Sequence, residues 1–142
     1  MDRTTIRMLM DSLNRDAERI ARHFGLSYRS IEPERANVTS RYGICYSDGV
    51  IKIRLRHATT GKPLKYSSLV ATLCHELAHL RHFNHGLRFR AFNQQVLAYA
   101  RAQGIYRPRS EPVERPAAPP PAPDLRPSRR PPAARPSQLE LF

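Results

Sequence analysis

The sequence predicts a small α+β domain: an N-terminal helix, a small and mainly antiparallel sheet, a helix bearing a His-Glu-x-x-His run and a further helix, followed by a disordered tail. Three observations predict it. Apolar residues recur at three- and four-residue steps near the N-terminus, and the Asp48-Gly49 pair separates two short apolar segments. Proline and glycine then divide the chain, because 11 of its 13 prolines follow Tyr106 whereas all six glycines lie at or before Gly104. With 142 residues, 40% of them hydrophobic, there is material for one core. The expected division is a domain over 1–104, a Pro/Arg/Ala-rich linker over 105–137 and a short apolar segment over 138–142.

The first helix is read from Thr4 to Phe24, where Ile6, Leu9, Met10, Leu13, Ala17, Ile20, Ala21 and Phe24 share one face and Gly25 supplies the C-cap. Strands are expected over Leu26–Ile31, Val38–Tyr46 and Val50–Leu55, the last two joined by a turn at Asp48-Gly49. Gly61-Lys62-Pro63 marks a loop. Ser67 or Ser68 can then cap a helix running to about Phe83, and a final helix covers about Leu87 to Gln103.

The net charge is +12, and the basic excess is not confined to the tail, since 17 basic against 8 acidic residues lie through Gly104. Such a surface attracts polyanions, so nucleic acid is an expected neighbour. No apolar run approaches the roughly 20 residues of a membrane span, and the first residues are too charged for a signal peptide. The expectation is a cytoplasmic protein with no membrane partner, its Cys45 and Cys74 being reduced core thiols.

His75-Glu76-Leu77-Ala78-His79 lies inside an expected helix. Residues four apart project together from a helix, so both imidazoles can hold one Zn²⁺, while Glu76 reaches toward water rather than the metal. Leu69, Leu73, Leu77 and Leu80 gather on the opposite face. Candidates for a third ligand are His82, His85 and His57. His82 lies about 10 Å along the axis from His75 if the helix continues. His85 is better placed, between Asn84 and Gly86, where the chain can turn back. His23 and His57 read as surface or capping residues.

The run from His75 to Phe89 resembles the zinc motif of the YgjP-like metallopeptidases and their relatives, the WLM and SprT-like proteases. These share His-Glu-Leu-x-His, a third histidine six residues on, matched by His85, and a phenylalanine four residues later, matched by Phe89. The likeness extends upstream through Ser40-Arg41-Tyr42-Gly43-Ile44-Cys45-Tyr46 and Ile51-Lys52-Ile53-Arg54-Leu55, and so covers about residues 38–95. Tyr42 replaces the usual tryptophan, Arg90 stands where YgjP-like proteins carry an aromatic residue, and Gly86 is the SprT-like choice. The resemblance implies a zincin-like domain in which His75, His79 and His85 bind Zn²⁺ and Glu76 is the general base of peptide hydrolysis. SprT-like and WLM proteases act on proteins crosslinked to DNA, which implies the same substrate class. Arg41, Tyr42 and Tyr46 are the candidates for stabilising the oxyanion.

Gln138-Leu139-Glu140-Leu141-Phe142 resembles the bacterial sliding-clamp-binding motif. By that resemblance Leu141 and Phe142 are apolar anchors, Leu139 is the motif's remaining apolar residue and Gln138 bonds at the pocket edge. Two rivals stand beside the crosslink-repair reading: a general cytoplasmic metallopeptidase unrelated to DNA, and a non-catalytic zinc- or nucleic-acid-binding adaptor.

Overall fold

A computed structural model describes residues 1–108 and 138–141. The first helix, α1 (Arg3–Phe24), starts where the Asp2 carboxylate accepts the Thr5 N–H at 2.9 Å. It buries Met10, Leu13, Ala17, Ile20 and Ala21 along one stripe and stops at Gly25, whose φ of 69° suits a residue without a Cβ.

Three short strands follow: β1 (Ser30–Pro33), β2 (Gly43–Tyr46) and β3 (Val50–Ile53). β2 and β3 form the expected antiparallel hairpin, turned at Gly49 with φ 97° and steadied by Asp48 Oδ1 accepting the Val50 N–H. β1 runs parallel to β3, with Ile31 opposite Ile51. It begins later than Leu26 and includes Pro33, which an edge strand tolerates.

The segment 38–42 is not strand. Two of its carbonyls are taken by a side chain: the Arg54 guanidinium, itself buried, donates to Thr39 O at 3.0 Å and Arg41 O at 3.4 Å and lies 4.4 Å over the Tyr42 ring, while the Arg54 backbone N–H bonds Tyr42 O.

The central helix, α2 (Tyr66–His79), packs on β2 and β3 and is flanked by α1 and by α3 (Leu87–Ala102). Leu69, Val70, Leu73, Cys74, Leu77 and Ala78 are all fully buried, so the helix has almost no solvent face. Its N-cap is Lys65, without a side-chain bond, instead of Ser67 or Ser68. The Tyr66 hydroxyl pins the first turn by donating to Asp16 Oδ2 of α1 at 2.6 Å. The helix also ends four residues short of Phe83, for a reason found at the metal centre.

Beyond α3 the packed chain runs past Gly104: Ile105 is buried, and its N–H and that of Tyr106 both bond the Ala100 carbonyl. Ile105 and Tyr106, expected at the start of the linker, are thus packed with α3, and residues 109–137 and Phe142, on which the rest of the linker expectation falls, lie outside the described residues. Gln138–Leu141, expected within a disordered tail, forms a fourth strand, β4, antiparallel to β2 on its outer edge. The order is β1-β3-β2-β4. Unpaired backbone groups at a sheet edge accept such an extended segment readily. Among the described residues no helix is long and apolar enough to cross a membrane.

The Tyr66–Asp16 bond joins two helices 50 residues apart in sequence. Tyr66→Phe is expected to cost about 1–3 kcal/mol, because it removes a hydrogen bond to a carboxylate that is only 9% exposed. The midpoint of urea unfolding measures it.

Candidate metal centre

His75 and His79 stand one turn apart on the last stretch of α2 and are both buried. Immediately after His79 the chain tightens: Leu80 N–H bonds Leu77 O, while Arg81 and His82 N–H both bond Ala78 O. This turn, and not a continued helix, carries the chain to Gly86 at the N-terminus of α3 and places His85 over the end of α2. His85 Nε2 lies 3.1 Å from both His75 Nε2 and His79 Nε2. One ligand nitrogen from each of the three residues falls within 4.8 Å of the others. Three imidazoles bound tetrahedrally to zinc, with bonds near 2.0–2.1 Å, hold their nitrogens about 3.3 Å apart, so this donor set fits the ion.

The ring nitrogens are assigned by what lies behind them. His79 Nδ1 is 3.1 Å from the His82 carbonyl, an acceptor only, so Nδ1 carries the proton and the Nε2 lone pair faces its partners. Burial holds His75 well below the ordinary imidazole range, reinforced by the repulsion that protonated His79 and His85 would exert on a second positive charge. His79 is lowered to about 3, again chiefly by burial, with His85 adding to the shift, and His85 is lowered by burial and by the Arg90 charge. All three are therefore neutral near pH 7, the state a metal ligand requires. Phe89 forms an apolar wall to the cluster: its ring centroid is 4.8 Å from that of His75, 4.4 Å from His79 in a stacked arrangement and 5.1 Å from His85.

Glu76, one residue after His75, turns about 100° around the helix and is fully buried against β2. A Cβ placed on Gly43 would stand 3.2 Å from Glu76 Oε2 and 2.8 Å from Thr72 Cγ2. A side chain at position 43 would crowd Thr72 and press on Glu76 and on the Lys52 carbonyl, so glycine is what lets α2 lie this close to the strand. Burial, followed by the negative charge of Glu76, pushes the Cys45 thiol far above its ordinary range and keeps it a neutral neighbour. Cys74 is likewise buried, raised chiefly by burial, and lies outside the cluster of ligand atoms.

The structure separates the remaining candidates from this group. His82 keeps its ring apart, edge-on to Phe92 at 5.8 Å, and contributes its carbonyl. His57 is exposed in the turn closed by its bond to Lys62, and His23 stacks on Tyr99 at 4.0 Å. Arg41 does not serve as a free cation, because its guanidinium is bound to the buried Glu34 carboxylate, with Nε at 3.0 Å. Tyr42 lies beneath Arg54 and Tyr46 ends β2. Sequence reasoning missed the spatial role of Gly43 and the orienting carbonyl of His82. A glycine inside an apolar strand is the signal for the first, since it marks close approach of another backbone or side chain; the second leaves no trace in residue type.

The fold and site define a small α+β domain built around a three-histidine centre with an adjacent buried glutamate. The chain belongs to the WLM domain family, whose model matches residues 33–107. Of the three groups that the zinc motif resembles, this is the one to which the chain is assigned. No curated protein matches the chain. Crystal structures of Wss1 share the fold. A mutant from Saccharomyces cerevisiae has a TM-score of 0.66 at 14% identity, covering 74% of this chain and 87% of its own. Wss1 from the same yeast scores 0.61 at 16% identity, with 68% and 79% covered. A Wss1 mutant from S. pombe scores 0.56 at 18% identity, with 64% and 80% covered.

Burying His75 and His79 in the neutral form has a cost that depends on pH. Unfolded imidazoles take up protons near pH 6.5, and the folded ones do not until much lower pH. The stability of the metal-free protein is therefore fully present above pH 6.5 and falls as the pH drops below it. The expected slope is up to about 1.4 kcal/mol per pH unit for each of these two histidines. Urea unfolding of metal-stripped protein at pH 7.5 and 5.0 measures the difference.

Proposed function

We propose that this protein is a zinc-dependent metalloendopeptidase that cleaves proteins crosslinked to DNA. The observation that carries the reading is the meeting of three neutral histidine nitrogens beside one buried carboxylate at the end of α2. His75, His79 and His85 would hold Zn²⁺, which when bound supplies a Lewis acid that acidifies water and polarises a peptide carbonyl. Glu76 takes the proton from the attacking water at its carboxylate and returns it to the leaving amine. Gly43 keeps that carboxylate against the strand, His82 O holds the His79 ring in register, and Phe89 excludes bulk water from the histidines.

The crosslink-repair role draws support from WLM family membership and from the basic excess within the folded part. Gln138, Leu139, Leu141 and Phe142 would dock on a sliding clamp and hold the enzyme beside replicating DNA in the cytoplasm, where a tether raises local concentration without new contacts.

Zinc content and DNA-dependent cleavage of a DNA-binding protein, compared between wild type and Glu76→Gln, test the chemistry. Both proteins should carry one zinc, with cleavage reduced at least about 100-fold in the variant, within the usual contribution of a general base. Zinc-loaded wild type that cuts nothing, with or without DNA, would remove the peptidase reading. For docking, purified clamp should bind the full chain and lose binding on Leu141→Ala with Phe142→Ala. Equal binding by the two in a calorimetric titration would refute the clamp assignment.

A further inference from the structure

β2 lies against the general base: Gly43 backs onto Glu76, and Cys45 is buried close enough to feel the same carboxylate. One edge of β2 pairs with β3, and the other is occupied by β4. Leu141 lies opposite Ile44, Glu140 opposite Cys45 and Gln138 opposite Tyr46. The segment thus ends one residue short of the position across from Gly43, on the edge where an extended polypeptide would pair by adding a strand beside the metal centre.

The pairing is irregular. Neighbouring residues Cys45 and Tyr46 face Glu140 and Gln138, so Leu139 is an extra residue and the register shifts there. A bulge of this kind leaves the ladder locally disrupted, and a regular extended chain would pair along the same edge without that loss. Reach is not limiting, since 109–137 supplies 29 residues at about 3.3 Å each when extended. Because Gln138–Leu141 belongs to the same chain as β2, its pairing is intramolecular, which typically corresponds to an effective concentration of up to about a millimolar. A weak ladder at high local concentration is reversible occupancy.

We propose that Gln138–Leu141 caps the peptidase, occupying the β2 edge that an extended substrate chain takes and leaving it when a partner captures the same residues. The inference rests on the peptidase reading above and adds a regulator to it. The cap selects for unfolded polypeptide presented at high local concentration, because such a chain must displace a tethered competitor. It also makes partner docking and edge occupancy mutually exclusive, since the residues that pair with β2 are those of the docking motif.

The test uses the full-length, zinc-loaded chain and its Leu139→Pro/Glu140→Pro variant. Successive N–H groups of a strand point to opposite sides, so replacing both residues removes whichever one faces β2. With an unstructured fluorogenic peptide as substrate, the variant's KM is expected to fall about two- to tenfold at little change in kcat. A synthetic peptide of residues 138–142 should raise the variant's KM again. Amide hydrogen exchange over Gly43–Tyr46, measured without substrate, should be faster in the variant. Equal exchange in the two proteins, or faster exchange with an unchanged KM, overturns the cap. Faster exchange in a pair of proteins that both fail to cleave overturns the peptidase reading and leaves the pairing standing.

Discussion

The turn that ends α2 at His79 is the constraint on which the rest depends. Two histidines four apart on a helix give two ligands on one face, and a third must come from chain that has reversed direction within six residues. If α2 ran on, His85 would stand about 9 Å along the axis from His79, out of reach of a shared ion. The reversal is made by N–H groups of Leu80, Arg81 and His82 closing onto Leu77 and Ala78, and it is locked by the His82 carbonyl meeting the His79 ring. The direction of α3 follows from the same turn. Phe89 comes back over the histidines because α3 starts where the reversal finishes.

The burial of α2 serves this geometry at some expense. A helix with leucines on its core side and histidines and a glutamate on another, nearly all inaccessible to solvent, needs packing on both sides to offset the desolvation of its polar groups. The sheet, α1 and α3 supply it, and the domain has little else. Charged groups that support the sheet are also drawn inside. Glu34 with Arg41, and Arg54 with the carbonyls of 39 and 41, organise the approach to β2 in a segment with no strand partner. Buried pairs of this kind contribute more to a defined arrangement than to net stability.

Much of this was legible in the residue order. The 3.6-residue stripe and Gly25 mark α1, Asp48-Gly49 marks the hairpin, and the spacing of His75, His79 and His85 marks the cluster, because each is a local rule with a short range. What escaped depends on distant partners. Leu80 and Phe83 prolong the apolar pattern of α2, so nothing local shows that the helix stops at His79. The stretch 38–42 reads as strand, and it is the Arg54 side chain, more than ten residues on, that takes the carbonyls of Thr39 and Arg41 in place of a ladder. The parallel register of β1 on β3 joins residues 20 apart and has no turn signal to announce it. Arg41 looked available as a cation near the site, and the buried Glu34 that holds it is seven residues upstream with no motif between them.

The partner that orients His79 is a backbone oxygen, so residue 82 performs its task without using its side chain. Any amino acid but proline, which lacks the N–H that closes the turn onto Ala78, brings the same carbonyl there. Substitution scanning at this position would score it as dispensable while the atom that aligns the ligand stayed in place. The orienting group of the centre is thus shielded from most point mutations, and what can disturb it is a proline or a change in the length of the turn.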